Sequence, residues 1–502
     1  MKSSALVLCS LVFTLATTAS NAQQSLPRSD PESQGVSSRA LLELTNTLDE
    51  RFDGIHSLMI VRNGKIITEG WWAPYDAQQN HVLYSLSKSF TSTAVGLVVA
   101  EGKLDIDDRV LDYFPAAAPQ NASENLKSMR VRDILTMTTG HQDAPPVKAD
   151  QISAKSFLAQ PVPHAPGTHF KYNTAATFMQ SALVQKLTGQ TVLEYLRPRL
   201  FKPLGIEHPV WDTNFQGISL GGYGLRVRTE DIAKLGQLYL QKGRWQGKQL
   251  LPQEWVELAT TKQVSNGTNP LNDWNQGYGF QFWRCRHNAY RGDGAFSQFC
   301  IVIPAQQTVV AITSGERDMQ AVMNVVWDRL LPAFAAKGLD VDPGAWGQLR
   351  KRLGGLSVKQ PSGARTSPIA ARLLNRQFEF AANTLKFESM AIESADLDEY
   401  LILKLGWDGK LLEIPAGFGE WKKGHAAYPA RWPLRLPDEP VAGTFAWMAE
   451  DTLVVKFCAY QTPGHVTCTM KVADDIVSFT AESNVAFEPT PLKVMPARLK
   501  SP

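Results

Sequence analysis

The 502 residues carry 51 basic and 48 acidic side chains, a formal net charge of +3 with no concentrated run of either sign. That balance argues against nucleic acid or an anionic membrane as a partner. The length exceeds one ordinary hydrophobic core and points to two or three folded units.

The first 22 residues have one early lysine, an apolar centre, and small residues at positions 20 and 22. This is the pattern of a signal peptide cleaved after Ala22, and its apolar span is too short for a membrane anchor. No later stretch is apolar enough to span a bilayer, so an exported protein, periplasmic or extracellular, is expected. Removing the signal leaves Cys285, Cys300, Cys458 and Cys468. Each neighbouring pair brackets a turn, and both disulfides and free buried thiols remain open.

In chain order, Leu41, Leu42, Leu44 and Leu48 recur at a spacing that buries one helix face within residues 27–50. Residues 56–62 and 65–70 read as strands around Asn63-Gly64, a two-residue hairpin signal. The next stretch, Tyr84-Ser85-Leu86-Ser87-Lys88-Ser89-Phe90, opens a helix with apolar side chains on most faces, stopped by Gly102. Residues three apart share a helix face, so Lys88 can bring its amine to the Ser85 hydroxyl.

Further on, residues 131–140 predict a short helix ending at Gly140, after which His141 reads as a satisfied loop histidine. A turn at 165–173 delivers Tyr172 to the start of a helix ended by Gly189. The glycines of 221–231 follow no strand at nucleotide-binding spacing, so a phosphate loop is rejected, and Thr229 is expected to cap the next helix. Residues 277–285, 290–294, 297–303 and 308–313 read as an antiparallel meander, with a helix at 319–334 behind it. Loops at 142–165, 211–228 and 264–276 are candidates for the walls of a cleft. Residues 336–375 are rich in glycine, proline and basic side chains and read as a linker. Alternating runs within 376–500 predict a small all-β unit.

The chemistry follows from Ser85. A serine hydroxyl attacks only when a base takes its proton. Lysine serves if burial lowers its pKa by roughly three units from its ordinary value of about 10.4. Tyr172 is the candidate to relay the proton to a leaving group. An oxyanion needs two backbone N–H groups, one from Ser85 and one from the run Gly292, Asp293, Gly294, Ala295, where small residues let a carbonyl approach. No histidine or cysteine spacing suits a metal, and neither metal nor cofactor is expected.

Taken in order, residues 84–92 with 101–104, 135–140, 166–168 with Tyr172, 221–231 and 294–304 resemble the serine hydrolases of the class C β-lactamase type. That superfamily includes penicillin-binding proteins, DD-peptidases, esterases and 6-aminohexanoate-dimer hydrolases. The resemblance spans about residues 30–335. It implies an α/β (α+β) architecture over 27–335, an antiparallel sheet flanked by helices with an inserted helical domain, followed here by the linker and β unit. It also implies Ser85 as nucleophile, Lys88 as general base and Tyr172 as the relaying tyrosine. Two departures stand out. The family has asparagine two residues after the tyrosine, whereas Asn173-Thr174 follows Tyr172 here, and its Lys-Thr-Gly strand motif is replaced by Arg291-Gly292-Asp293-Gly294. Asp293 disfavours an anionic substrate, although Arg291 can offset it. Hydrolysis of small esters or amides is therefore expected. The alternatives are a cell-wall DD-peptidase, penicillin-binding protein or β-lactamase, and a non-catalytic binding or sensor protein of the same fold.

Overall fold

The computed structural model describes residues 25–396, 399–428, 438–487 and 494–500, so the signal-peptide reading lies outside the described residues. Asn63 and Gly64 both take positive φ, 51° and 77°, which turns strand Ile55–Arg62 back into Lys65–Trp71. This hairpin is one edge of a six-stranded antiparallel sheet. Its order is Lys65–Trp71, Ile55–Arg62, Thr308–Ser314, Gln298–Ile303, Tyr290–Gly294 and Trp283–Arg284. The chain between the hairpin and Trp283 forms the inserted helical region. Only Trp283–Arg284 of the strand expected at 277–285 joins the sheet, because Gln281 adopts a left-handed φ of 64° that breaks the extended chain.

Strand alternation divides the interior into two layers. Met59, Val61, Cys300, Val302, Val309 and Ala311 face the helices Ser87–Ala100, Thr174–Thr188 and Thr229–Leu240. Leu58, Ile60, Phe299, Ile301, Val310 and Ile312 face the opposite layer, which holds Ser38–Arg51 and Met319–Val325. Thr229 does not cap its helix. It lies in the first turn with its hydroxyl on Ser57 at 2.7 Å, and the Asp231 carboxylate accepts the Arg228 N–H instead.

Residues 336–375, expected as a linker, contain the helix Pro343–Gly354, N-capped by Asp342. Its Leu349 is buried in the same layer as Leu44, while Arg352 donates to Asn46 and pairs with Asp49. Gly70 makes room for this clamp, since a Cβ there would stand 2.9 Å from Leu353 and Leu356.

The C-terminal unit is a barrel. Nine described strands, from Gln377–Phe380 to Met495–Leu499, pair in a ring that closes where Ala416–Phe418 runs parallel to Gly443–Phe445. Lys422–Ala426 pairs with the Glu439–Ala449 strand outside that ring. Phe378, Leu403, Ile414, Phe445, Val455, Met470 and Phe479 fill the interior. Ala442, Cys458 and Tyr460 point the other way and join the core of the sheet domain. Polar ties complete the junction: Val82 N–H donates to Gln461 O at 2.9 Å and Asn484 Nδ2 to Gly315 O at 2.9 Å.

Among the described residues the four cysteines, Cys285, Cys300, Cys458 and Cys468, are free and buried. Cys300 and Cys285 lie in the cores on opposite faces of the sheet. Within one ladder Cys458 faces His465 and Cys468 faces Val455, so the two thiols leave opposite sides of the barrel wall.

Candidate active site

Ser85 lies in the tight turn Tyr84–Leu86, which runs directly into the helix Ser87–Ala100. Tyr84 holds φ 46°, a conformation that non-glycine residues keep only when their surroundings fix it. The surroundings here are hydroxyl latches. Thr91 donates to Gly221 O at 2.9 Å, Ser89 to Gln281 O at 3.0 Å and Ser92 to Phe280 O at 2.8 Å, while Ser87 Oγ accepts the Leu225 N–H. The run Ser87-Lys-Ser-Phe-Thr-Ser-Thr93 thus supplies partners for loop backbone that would otherwise be buried unpaired.

Lys88 is 1% exposed. Its Nζ lies 2.7 Å from Gly222 O, 3.2 Å from Thr174 Oγ1 and 3.0 Å from Ser85 Oγ. Burial pulls its pKa down to about 7 against the opposing pull of Asp293. The displacement corresponds to something on the order of 5 kcal/mol against the charged form. A neutral amine has two N–H bonds and one lone pair. The Gly222 carbonyl can only accept, so it takes one N–H, and Thr174 Oγ1 takes the other. The lone pair is left for the Ser85 hydroxyl proton. Glycine at 222 makes this approach possible, because a Cβ would press to 2.7 Å from Thr174 Cγ2 and 2.9 Å from Thr174 O.

Tyr172 enters from the other side, just before the helix Thr174–Thr188 that Asn173 caps by accepting the Ala176 N–H. Its ring stacks on Trp283 at 5.5 Å and sits 4.9 Å from Lys88 Nζ. Burial and the nearby Asp293 raise its pKa, and the neighbouring Ser85 hydroxyl partly offsets this. It is therefore a neutral phenol, able to donate a proton.

The strand Tyr290–Gly294 lies directly on the Ser85 turn. A Cβ on Gly292 would come within 2.4 Å of Ser89 Oγ, and one on Gly294 within 2.0 Å of Leu83 O and 3.1 Å of Leu86 N. These two glycines permit the contact, and the strand ends beside the turn at Gly294-Ala295. Arg291 is completely buried. Its Nε and Nη2 reach Asp293 Oδ2 at 2.9 and 2.8 Å, its Nη1 donates to Asp273 O and Cys285 Sγ, and it stacks on Trp274. Asp293, buried with it, is raised by desolvation in spite of Arg291.

The structure thus gathers Ser85, Lys88, Tyr172, Gly292, Asp293, Gly294 and Ala295 around one centre and turns Arg291 into the ion pair behind it. Sequence reasoning missed Thr174, Gly222 and Gln281. Thr174 stands two residues after Tyr172, the position already noted as a departure, so it had a signal. Gln281 had none: its amide donates to Leu135 O at 2.7 Å and accepts from Thr177 at 2.7 Å, joining three segments beneath the site. His141 lies apart, buried against Thr139 and Phe157.

A sequence profile described as Beta-lactamase matches residues 46–330, more than half of the chain. An Escherichia coli K12 protein named "Putative D-alanyl-D-alanine carboxypeptidase" is 23% identical over 341 residues, spanning 53% of this chain and 76% of its own. The 6-aminohexanoate-dimer hydrolase of Paenarthrobacter ureafaciens is 24% identical over 219 residues, 40% of this chain and 56% of its own. A solved structure of a "putative beta-lactamase" from Bacteroides dorei aligns with TM-score 0.50 at 15% identity, covering 59% of this chain and 99% of that one. At such identity the likeness concerns the fold alone.

Proposed function

The chain belongs to the beta-lactamase family of serine hydrolases, and on that premise we propose that it is an exported enzyme cleaving small esters or amides through an acyl-enzyme on Ser85. The observation that carries this is the Lys88 amine, 3.0 Å from Ser85 Oγ and held near neutrality by burial. As Ser85 Oγ attacks the carbonyl carbon, its proton passes to Lys88 Nζ. The oxyanion is received by the backbone N–H of Ser85 and that of Ala295. Collapse expels the alcohol or amine, which takes its proton from the Tyr172 hydroxyl, and Lys88 reprotonates Tyr172. Water then attacks the acyl carbon, gives its proton to the same relay, and Ser85 is restored.

A carboxypeptidase or β-lactamase reading draws support from the carboxypeptidase name of the Escherichia coli relative. It is weakened by charge. A carboxypeptidase substrate ends in a carboxylate, and Arg291 is completely buried and already paired with Asp293, with its Nη1 on Asp273 O and Cys285 Sγ. Asp293 itself would repel an anion. A fluorophosphonate is expected to lose fluoride and leave its phosphonyl group on the peptide bearing Ser85. An unlabelled Ser85 in folded protein overturns the proposal, and slow, stable labelling by a fluorescent penicillin favours the second reading.

A further inference from the structure

Three aromatic rings meet beside the nucleophile from three distant parts of the chain. Tyr84 immediately precedes Ser85, Phe296 immediately follows Ala295, and Phe487 comes from the barrel, just beyond the strand Ile476–Ser483. Ring centroids are 5.6 Å apart for Tyr84 and Phe296, 5.6 Å for Tyr84 and Phe487, and 5.0 Å for Phe296 and Phe487. Two of the three contacts are edge-to-face, an arrangement aromatic pairs prefer.

Phe487 is nevertheless 73% exposed. A phenyl ring left in water forgoes the gain that burial would bring. Were its role to pin the barrel to the sheet domain, it would be buried as Ala442, Cys458 and Tyr460 are. The chain two to four residues before it is tied down. Asn484 donates to Gly315 O and Pro463 O and accepts from Arg317 Nε, Ser483 donates to Val485 O, and Val485 is buried. The barrel is fixed to the approach to Ser85 as well, through the bond from Val82 to Gln461.

We propose that Tyr84, Phe296 and Phe487 form an apolar subsite that receives an aryl or bulky alkyl group of the ester or amide attacked by Ser85, so that the barrel completes the specificity of the catalytic unit. This rests on the reading of Ser85 as nucleophile and extends it to a substrate class. A second aromatic cluster agrees in character: Tyr172, 4.9 Å from Lys88 Nζ, packs with Tyr278, Trp283 and Phe170. These rings and a neutralised Arg291 suit an uncharged, apolar substituent.

The test compares the full-length wild type with Phe487→Ala and Phe487→Tyr on methyl acetate, methyl phenylacetate and phenyl acetate. For at least one aryl ester, the ratio of its kcat/KM to that of methyl acetate is expected to fall about tenfold in Phe487→Ala, through KM more than kcat. Phe487→Tyr, which keeps the ring, should hold that ratio within about twofold of wild type, the part of the pair set by stacking. Which ester responds tells whether the subsite holds the acyl or the alcohol side. Unmoved ratios, or equal losses on all three esters, overturn the subsite while wild-type turnover leaves Ser85 standing. A wild type that turns over none of the esters and takes no phosphonate overturns both.

Discussion

The catalytic unit and the barrel bury their polar groups in opposite ways. Around Ser85 the interior is threaded with hydroxyls, amides and one amine, and those that hold the turn are matched: Thr91 to Gly221, Ser92 to Phe280, Gln281 to Leu135 and Thr177, Lys88 to Gly222 and Thr174. The barrel interior is filled by Phe, Leu, Ile, Val and Met side chains. A closed ring of strands satisfies its own backbone, so its interior needs only volume. A reactive amine must instead be dried without being orphaned, and that takes neighbours of the right hydrogen-bonding sense.

The contrast can be broken at its strongest point first. Ser85→Ala and Lys88→Met are each expected to lower kcat by on the order of 10⁴–10⁶, and the double variant by no more than the worse single one, because the pair acts as a unit. Steady-state kinetics on any accepted ester checks this, and additive losses would contradict it. Next, Phe445→Ala in the barrel interior should cost about 3–5 kcal/mol of stability by denaturant unfolding. At temperatures where the variant is folded, its pH dependence of kcat/KM should match wild type, since Phe445 belongs to the barrel core and not to the hydroxyl-lined interior.

The smallest effect sharpens the comparison most. In the proposed mechanism Lys88 works as the neutral amine, so kcat/KM should rise with pH along a limb centred on about 7. Asp293 favours the protonated amine, and Asp293→Asn should therefore move the midpoint to lower pH. An upward shift in the pH profile would remove Asp293 from the electrostatics of the site. The same change leaves Arg291 buried without its carboxylate, for which thermal unfolding should register a loss of about 3–5 kcal/mol.

Much of this centre was legible because it is local. The spacing from Ser85 to Lys88 is one helical turn, and the Asn63-Gly64 hairpin is set by two residues. The Gly222 carbonyl is 134 residues from Lys88 and has no side chain to announce it. The helix Pro343–Gly354 was hidden for a different reason. It buries only Ala345 and Leu349 among glycines and cations, too few apolar positions to reveal a period, although those few fasten it to the N-terminal helix. The state of the cysteines stayed open in the sequence for a reason of parity: which side of a strand a thiol leaves depends on register, and register is a property of the assembled ladder.

Those unpaired thiols set when the protein is chemically vulnerable. Burial raises Cys285 to about 11 and Cys300, Cys458 and Cys468 to about 12, far from the thiolate form that attacks oxidants and disulfides. In the folded protein they are shielded by position and need no bond. Before the sheet and the barrel close, the same four groups are ordinary thiols on one flexible chain, free to couple in combinations that the finished layers cannot accommodate. Oxidation thus competes with folding alone, and the rate at which the two cores close decides whether a chain maturing under oxidising conditions reaches its native state.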